Sequence, residues 1–216
     1  MSAGDGRTPR TVLVVGAVLV VLTLISSVPE RGSGTDSPSS SYSTGPTGSG
    51  AYAELLRRFD HPVERIRGEL DEADLEPGST LVILDAELSE AEARRVGRFL
   101  REGGRVVAGG PLAGDWLGEV VDDPPEFEPA PVQTAIPAGD AAETAGVATV
   151  RLGGLGSFAG PGGLQPILGE RDGPAVLAVT GDVGAGRVVV LADATPLSNL
   201  LLGVADNAAF GLGAAG

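Results

Sequence analysis

The sequence predicts an α/β protein built on an open sheet, and three consecutive segments carry that expectation. Residues 80–85, TLVILD, form a continuous apolar run of the kind a parallel strand buried on both faces requires. Residues 88–104, LSEAEARRVGRFLREGG, follow as a helix. Ser89 and Glu92 have capping-box spacing, Ala93, Val96, Phe99 and Leu100 make one apolar stripe, and Gly103 supplies the stop. Residues 105–110, RVVAGG, return as an apolar strand. Strand, crossover helix and strand together are the repeating unit of an open α/β sheet.

The remaining elements are read outward from this unit. Residues 11–28, TVLVVGAVLVVLTLISSV, are uncharged and long enough for a helix crossing a bilayer. Arg7 and Arg10 precede them, which places residues 1–10 in the cytoplasm and the main domain outside the cell. A cleaved signal peptide, with Ser26 and Val28 near the cut, is the competing reading. Residues 29–46 are rich in Ser, Gly and Pro and read as a tether, leaving residues 47–216 as the extracytoplasmic α/β domain.

Tyr52, Leu55, Leu56 and Phe59 have helical spacing, with Thr47 or Ser49 available as N-cap, so the loop before them ends at free helix amides that could hold an anion. HPVERIR (61–67) reads as a short strand and PLAGDWLGEVV (111–121) as a short helix or turn. The proline-rich 122–140 has little helical character. GVATVRL, GPAVLAVT and GRVVVLAD follow as strands, partly antiparallel, and GVADNAAFGLGAA (203–215) as a helix of small residues capped by Asp206.

Composition removes several functional classes. With 29 acidic and 15 basic residues the net charge is −14, which repels a phosphate backbone, so no nucleic-acid partner is expected. The chain has no cysteine, so disulfides, thiolate metal sites and cysteine nucleophiles are impossible. A single His61 cannot build a multi-histidine metal site, and no metal or cofactor is expected.

Ligands of open α/β sheets sit beyond the carboxyl ends of the strands, where Asp85, Gly109–Gly110 and Asp193 all fall. Asp after a strand is equally an ordinary turn residue. Residues 154–159 spell G-x-G-x-x-A, but Gly160–Pro161–Gly162–Gly163 forbids the helix a dinucleotide site needs. Neither G-x-S-x-G nor H-E-x-x-H occurs, and the acidic pairs Asp71–Glu72 and Asp122–Asp123 lie in turn-rich or proline-rich surface segments.

Taken in order, the apolar N-terminal run, SSYSTGPTGSGAYAELLRR, STLVILDAELSEAEARRVGRFLREGGRVVAGG, GLGSF and GRVVVLADATPLSNLLLGVADNAAFGL resemble the membrane-anchored bacterial and archaeal family called domain of unknown function 4350. The resemblance spans most of residues 10–213 and implies a flavodoxin-like, class I glutamine amidotransferase-like open sheet. Enzymes of that class use a Cys nucleophile at a strand–helix elbow with a His partner, chemistry that a cysteine-free chain cannot perform. Family members commonly continue into further strands and a second membrane helix, so the resemblance implies a shortened member. It also implies, as possible partners, a MoxR-type AAA ATPase and the domain of unknown function 58.

Three functions follow as expectations. The first is a non-catalytic, membrane-tethered component of a cell-envelope complex. The second is a degenerate amidotransferase-like domain that binds a small polar ligand through Ser43, Asp85, Asp193 and Asn199. The third is a hydrolase using the carboxylates of Asp85 and Asp193.

Overall fold

The computed structural model describes Val20–Leu24 and residues 38–216 and gathers eleven strands into one curled sheet. In chain order the strands are β1 (Val20–Leu24), β2 (Val63–Arg67), β3 (Thr80–Leu84), β4 (Arg105–Gly109), β5 (Phe127–Glu128), β6 (Thr134–Pro137), β7 (Val150–Arg151), β8 (Ser157–Phe158), β9 (Gln165–Glu170), β10 (Val176–Val183) and β11 (Gly186–Leu191). The helices are α1 (Gly50–Arg58), α2 (Glu90–Arg101), α3 (Ala113–Leu117) and α4 (Asn207–Ala215).

One half of the sheet is parallel, in the order β2-β1-β3-β4-β11, and the other is antiparallel, continuing β10-β9-β6-β7. β8 pairs with β10 and β5 off this path. The parallel half winds outward from β1, with β2 on one side and β3 on the other, so the direction of winding reverses at the β1/β3 boundary. Open α/β sheets place their ligand crevice beyond the carboxyl ends of the strands at such a reversal.

Alternation in the buried strands feeds two cores. Val82, Leu84, Val107, Val189 and Leu191 face α1 and α4, where they meet Tyr52, Leu56 and Phe210. Leu81, Ile83, Val106, Ala108, Val188 and Val190 face α2 and α3, where they meet Val96, Phe99 and Trp116. Successive side chains of a strand point to opposite faces, so a fully apolar strand is what two covered faces demand. α2 starts as its sequence predicts, with the Ser89 hydroxyl accepting from Glu92 N–H and the Glu92 carboxylate accepting from Ser89 N–H.

The run expected to cross a membrane, residues 11–28, lies mostly outside the described residues, as do residues 1–10 and 29–37. Its described part, Val20–Leu24, is strand β1, paired in parallel with both β2 and β3. An apolar VVLTL suits a buried strand as well as a helix, and periodicity alone does not separate the two. Among the described residues no helix is long and apolar enough to cross a membrane.

The end of the expected tether, residues 38–46, is packed into the domain, with Ser40 and Ser41 buried. Ser49 stands at the N-cap position of α1 but does not cap it; its hydroxyl donates to Ser39 C=O instead. Asp206 likewise makes no side-chain cap on α4. Its carboxylate accepts from the amides of Ala148 and Thr149, which holds it below the usual aspartate range despite a small opposing effect of burial. The buried Asn207 acts as a peptide mimic, accepting from Arg151 N–H and donating to Arg151 C=O and Leu201 C=O.

Candidate functional site

The carboxyl edge of the parallel strands is built by three loops. β3 ends at Leu84, and Asp85 turns the chain with φ +49° while its amide donates to Gly109 C=O at 2.8 Å. β4 ends at Gly109, and Gly110 turns with φ +96°, its amide donating to Leu191 C=O at 3.1 Å. A Cβ on Gly110 would stand 1.9 Å from Asp85 Oδ1, so the space a side chain would need there belongs to the Asp85 carboxylate. Ser39, also at positive φ, donates its hydroxyl to Asp85 Oδ2. Left-handed backbone is unfavourable for both residues, and two such positions bonded to each other mark this turn as held by its surroundings. Burial pushes the Asp85 carboxyl above the usual aspartate range, the Ser39 hydroxyl pulls it back, and the charge of nearby Asp193 adds to the rise.

The other three residues expected to bind ligand serve the scaffold. Asp193 is fully buried. Its Oδ2 accepts from Gly154 N–H at 3.0 Å and Leu155 N–H at 3.1 Å, and Oδ1 from Thr195 N–H at 2.9 Å. The glycine-rich 153–156 segment is thereby pinned against the end of β11 and leads into β8 rather than into a helix. Asn199 clasps the Ser/Gly-rich loop. Its Nδ2 donates to Ser43 C=O at 2.9 Å and Gly45 C=O at 2.6 Å, and its Oδ1 accepts from Ala51 N–H at 2.7 Å. Ser43 sits inside that clasp, its hydroxyl accepting from Gly45 N–H at 3.1 Å. The structure thus brings Asp85 and Asp193 close enough to interact, joins Ser43 to Asn199, and leaves Asp85 as the one expected carboxylate at that edge that is not fully buried.

Expectations of anion binding at α1 also change, because Asn199 occupies the Ala51 amide that would have been free. Among the described residues no group of three or more His, Cys, Asp or Glu side chains could hold a metal ion.

Residues 41–214 match the family described as Domain of unknown function (DUF4350). The chain belongs to that family. No curated protein matches it. The DUF4350 fold is similar to that of a range of solved structures, among them the following three. One is a cytoplasmic protein of Salmonella typhimurium LT2, STM1381, at 17% identity and TM-score 0.60, covering 89% of this chain and 95% of that one. Another is the N-terminal domain of mmIFT52, at 10% identity and TM-score 0.63, covering 88% and 93%. The third is the exo-β-1,4-mannosidase Op5Man5 of an Opitutaceae bacterium, strain TAV5, at 16% identity and TM-score 0.58; it covers 92% of this chain, which spans 35% of the mannosidase. At these identities the likeness is one of fold.

Two parts of the DUF4350 site escaped the sequence reading. Ser39 gave no signal, being one serine in a run of five within 37–43. Gly110 was placed at the strand end, but only its positive φ and its contact with Asp85 show that it yields its side-chain space to a carboxylate.

Proposed function

We propose that this DUF4350 protein is a non-catalytic binding domain that holds a small polar ligand in the crevice beyond β3 and β4, as a component of a cell-envelope assembly. The β4 turn carries the reading. Amidotransferase-like enzymes keep their nucleophile at a strand–helix elbow; here the elbow between β4 and α3 is Gly110, and the Asp85 carboxylate fills the place of its missing Cβ. A carboxylate bonded to Ser39 and half-buried is suited to accept hydrogen bonds from hydroxyl or ammonium groups. The order β2-β1-β3-β4-β11 supports assigning the parallel half to the flavodoxin-like, amidotransferase-like subclass.

The test is thermal denaturation of the full chain against a panel of monosaccharides and amino acids, for wild type and Asp85→Asn. A ligand at about a hundred times its Kd should raise the wild-type midpoint by roughly 5–10 °C and the variant's by far less. A panel that leaves the wild type unmoved, or moves both alike, defeats the reading.

Leu155 and Leu200, 51% and 65% exposed, lie on the loops pinned by Asp193 and Asn199 and support a protein partner at the same edge. The MoxR-type AAA ATPase implied by the family resemblance is the partner to seek by co-purification. The uncharged 11–28 run after Arg7 and Arg10 supports a membrane anchor, while pairing of Val20–Leu24 in the sheet supports a role for those residues inside the domain. Alkaline extraction of membranes distinguishes them: a chain retained in the pellet is anchored, and one released is not.

A further inference from the structure

Arg65 and Arg67 lie two apart on β2 and therefore project from one face of the sheet, opposite Ile66, which packs into the core beneath α2. Both guanidinium groups gather on a single ring, their carbons 4.6 Å and 4.7 Å from the centroid of Tyr42. Arg67 Nε also donates to the Tyr42 hydroxyl oxygen at 2.7 Å. Neither arginine has a carboxylate partner among the described residues, in a chain with 29 acidic side chains for 15 arginines. Arg65 Nε is buried without an acceptor. Two cations gathered about one ring repel each other, and a buried donor without acceptor is a defect that native structures rarely keep unless something completes it.

The pair also has the right address. Leu24 of β1 pairs with Arg67, and Thr23 pairs with both Ile66 and Ile83, so Arg67 stands level with Leu84 at the carboxyl edge of the sheet. β2 and β3 flank β1, which sets Arg67 about 10 Å from the end of β3 at ordinary strand spacing. The loop of residues 38–49 links the two positions, with Ser39 on Asp85 and Tyr42 on the arginines.

We infer that Arg65, Arg67 and Tyr42 form the anion-binding end of the crevice, so that its ligand carries a carboxylate or a phosphate group. The oxygens of either group match the guanidinium fork, neutralise the paired cations and leave the hydroxyl or ammonium end of the ligand toward Asp85. This inference names the ligand class of the binding reading above and rests on it for the identity of the crevice.

The test follows the Nε–Hε resonances of the full chain labelled with 15N-arginine, titrated with inorganic phosphate and separately with acetate against chloride at constant ionic strength. Saturable shifts of the Arg65 and Arg67 signals are expected with one of the two anions, and which one saturates identifies the group. Arg67→Gln and Arg65→Gln should each weaken that binding at least tenfold, and exposed Arg67 gives a variant that keeps the fold if Arg65→Gln does not. Arg171→Gln, in the exposed turn after β9, should leave the anion affinity within about twofold. Shifts that track ionic strength without saturating, or equal binding by wild type and Arg67→Gln, overturn the inference. Saturable anion binding with no response to the sugar and amino-acid panel upholds it and defeats the Asp85 reading instead.

Discussion

Replacement of Asp193 separates architecture from ligand binding. The side chain is 0% exposed and accepts three backbone N–H groups, from Gly154, Leu155 and Thr195, at 3.0, 3.1 and 2.9 Å. A hydrogen bond to a charged acceptor contributes about 1.5–3 kcal/mol, but Gly154 and Leu155 lie on an exposed loop and regain water once released. Asp193→Ala should therefore cost about 3–5 kcal/mol, and Asp193→Asn about 2–3 kcal/mol because its amide can still accept on one side. At about 2–4 °C per kcal/mol for a domain of this size, the alanine variant should melt roughly 6–20 °C below wild type. Circular dichroism with heat and with urea measures this without any ligand, and amide exchange at Gly154 and Leu155 should accelerate more than at β11. Were Asp193 a ligand residue, its removal would leave the unliganded protein nearly untouched; a melting point within about 2 °C of wild type for both variants refutes the scaffold role.

Three further residues carry expected outcomes. Glu143, fully buried, accepts from Arg187 Nε and Nη2, Arg105 Nη1 and Thr180 Oγ1 near the amino ends of β4 and β11, so Glu143→Ala should cost about 2–4 kcal/mol: both guanidinium groups lose their shared acceptor, while Arg187 keeps Asp182 and Arg105 keeps the Ala214 carbonyl. Burial alone would raise the Glu143 carboxyl, but Arg187 and Arg105 together hold it below the usual glutamate range. Its stabilisation is thus complete above about pH 4.3 and is lost as pH falls through the folded-state value, so the melting gap between wild type and Glu143→Gln should close in acid. Asp85 has the opposite sign. Its folded-state value is raised, so stability falls as pH rises from about 3.9 through that value, and Asp85→Asn should equal wild type in acid yet match or exceed it at neutral pH, as pH-dependent urea unfolding will show. Asn199→Ala removes bonds to Ser43, Gly45 and Ala51 and should cost about 2–3 kcal/mol, with amide exchange rising first at Ala51.

The sequence made β3, α2 and β4 readable because each is local: an unbroken apolar run, a capping box and a stripe announce themselves within a few residues. The antiparallel half was less readable. β6 and β9 carry Pro137 and Pro166, and the β10–β9 register shifts beside Pro166, so proline marks an irregular pairing there rather than the absence of a strand. For the polar residues the obstacle was distance along the chain. Asp193, Asn199 and Asp206 meet amides 39, 148 and 58 residues away, and a carboxylate after a strand looks the same whether it waits for a ligand or for a loop. Residues 191–211 are in this respect the opposite of α2, whose partners are its own neighbours.

The Asn199 clasp also fixes a sequence of events at the ribosome. Ser43 and Asn199 are 156 residues apart, and Tyr52 waits 159 residues for the Gly211 carbonyl that its hydroxyl meets. At about 5–20 residues per second, the nascent chain carries the 38–49 loop unclasped for roughly 10–30 s before its closing residue exists. The Ser39 bond on Asp85 and the Tyr42 platform under the arginines have all their own partners by residue 85, but the loop that carries them is clasped only once Asn199 has been made. A message cut short before codon 199 would lack the residue that ties the loop down at the edge where β3 and β4 end.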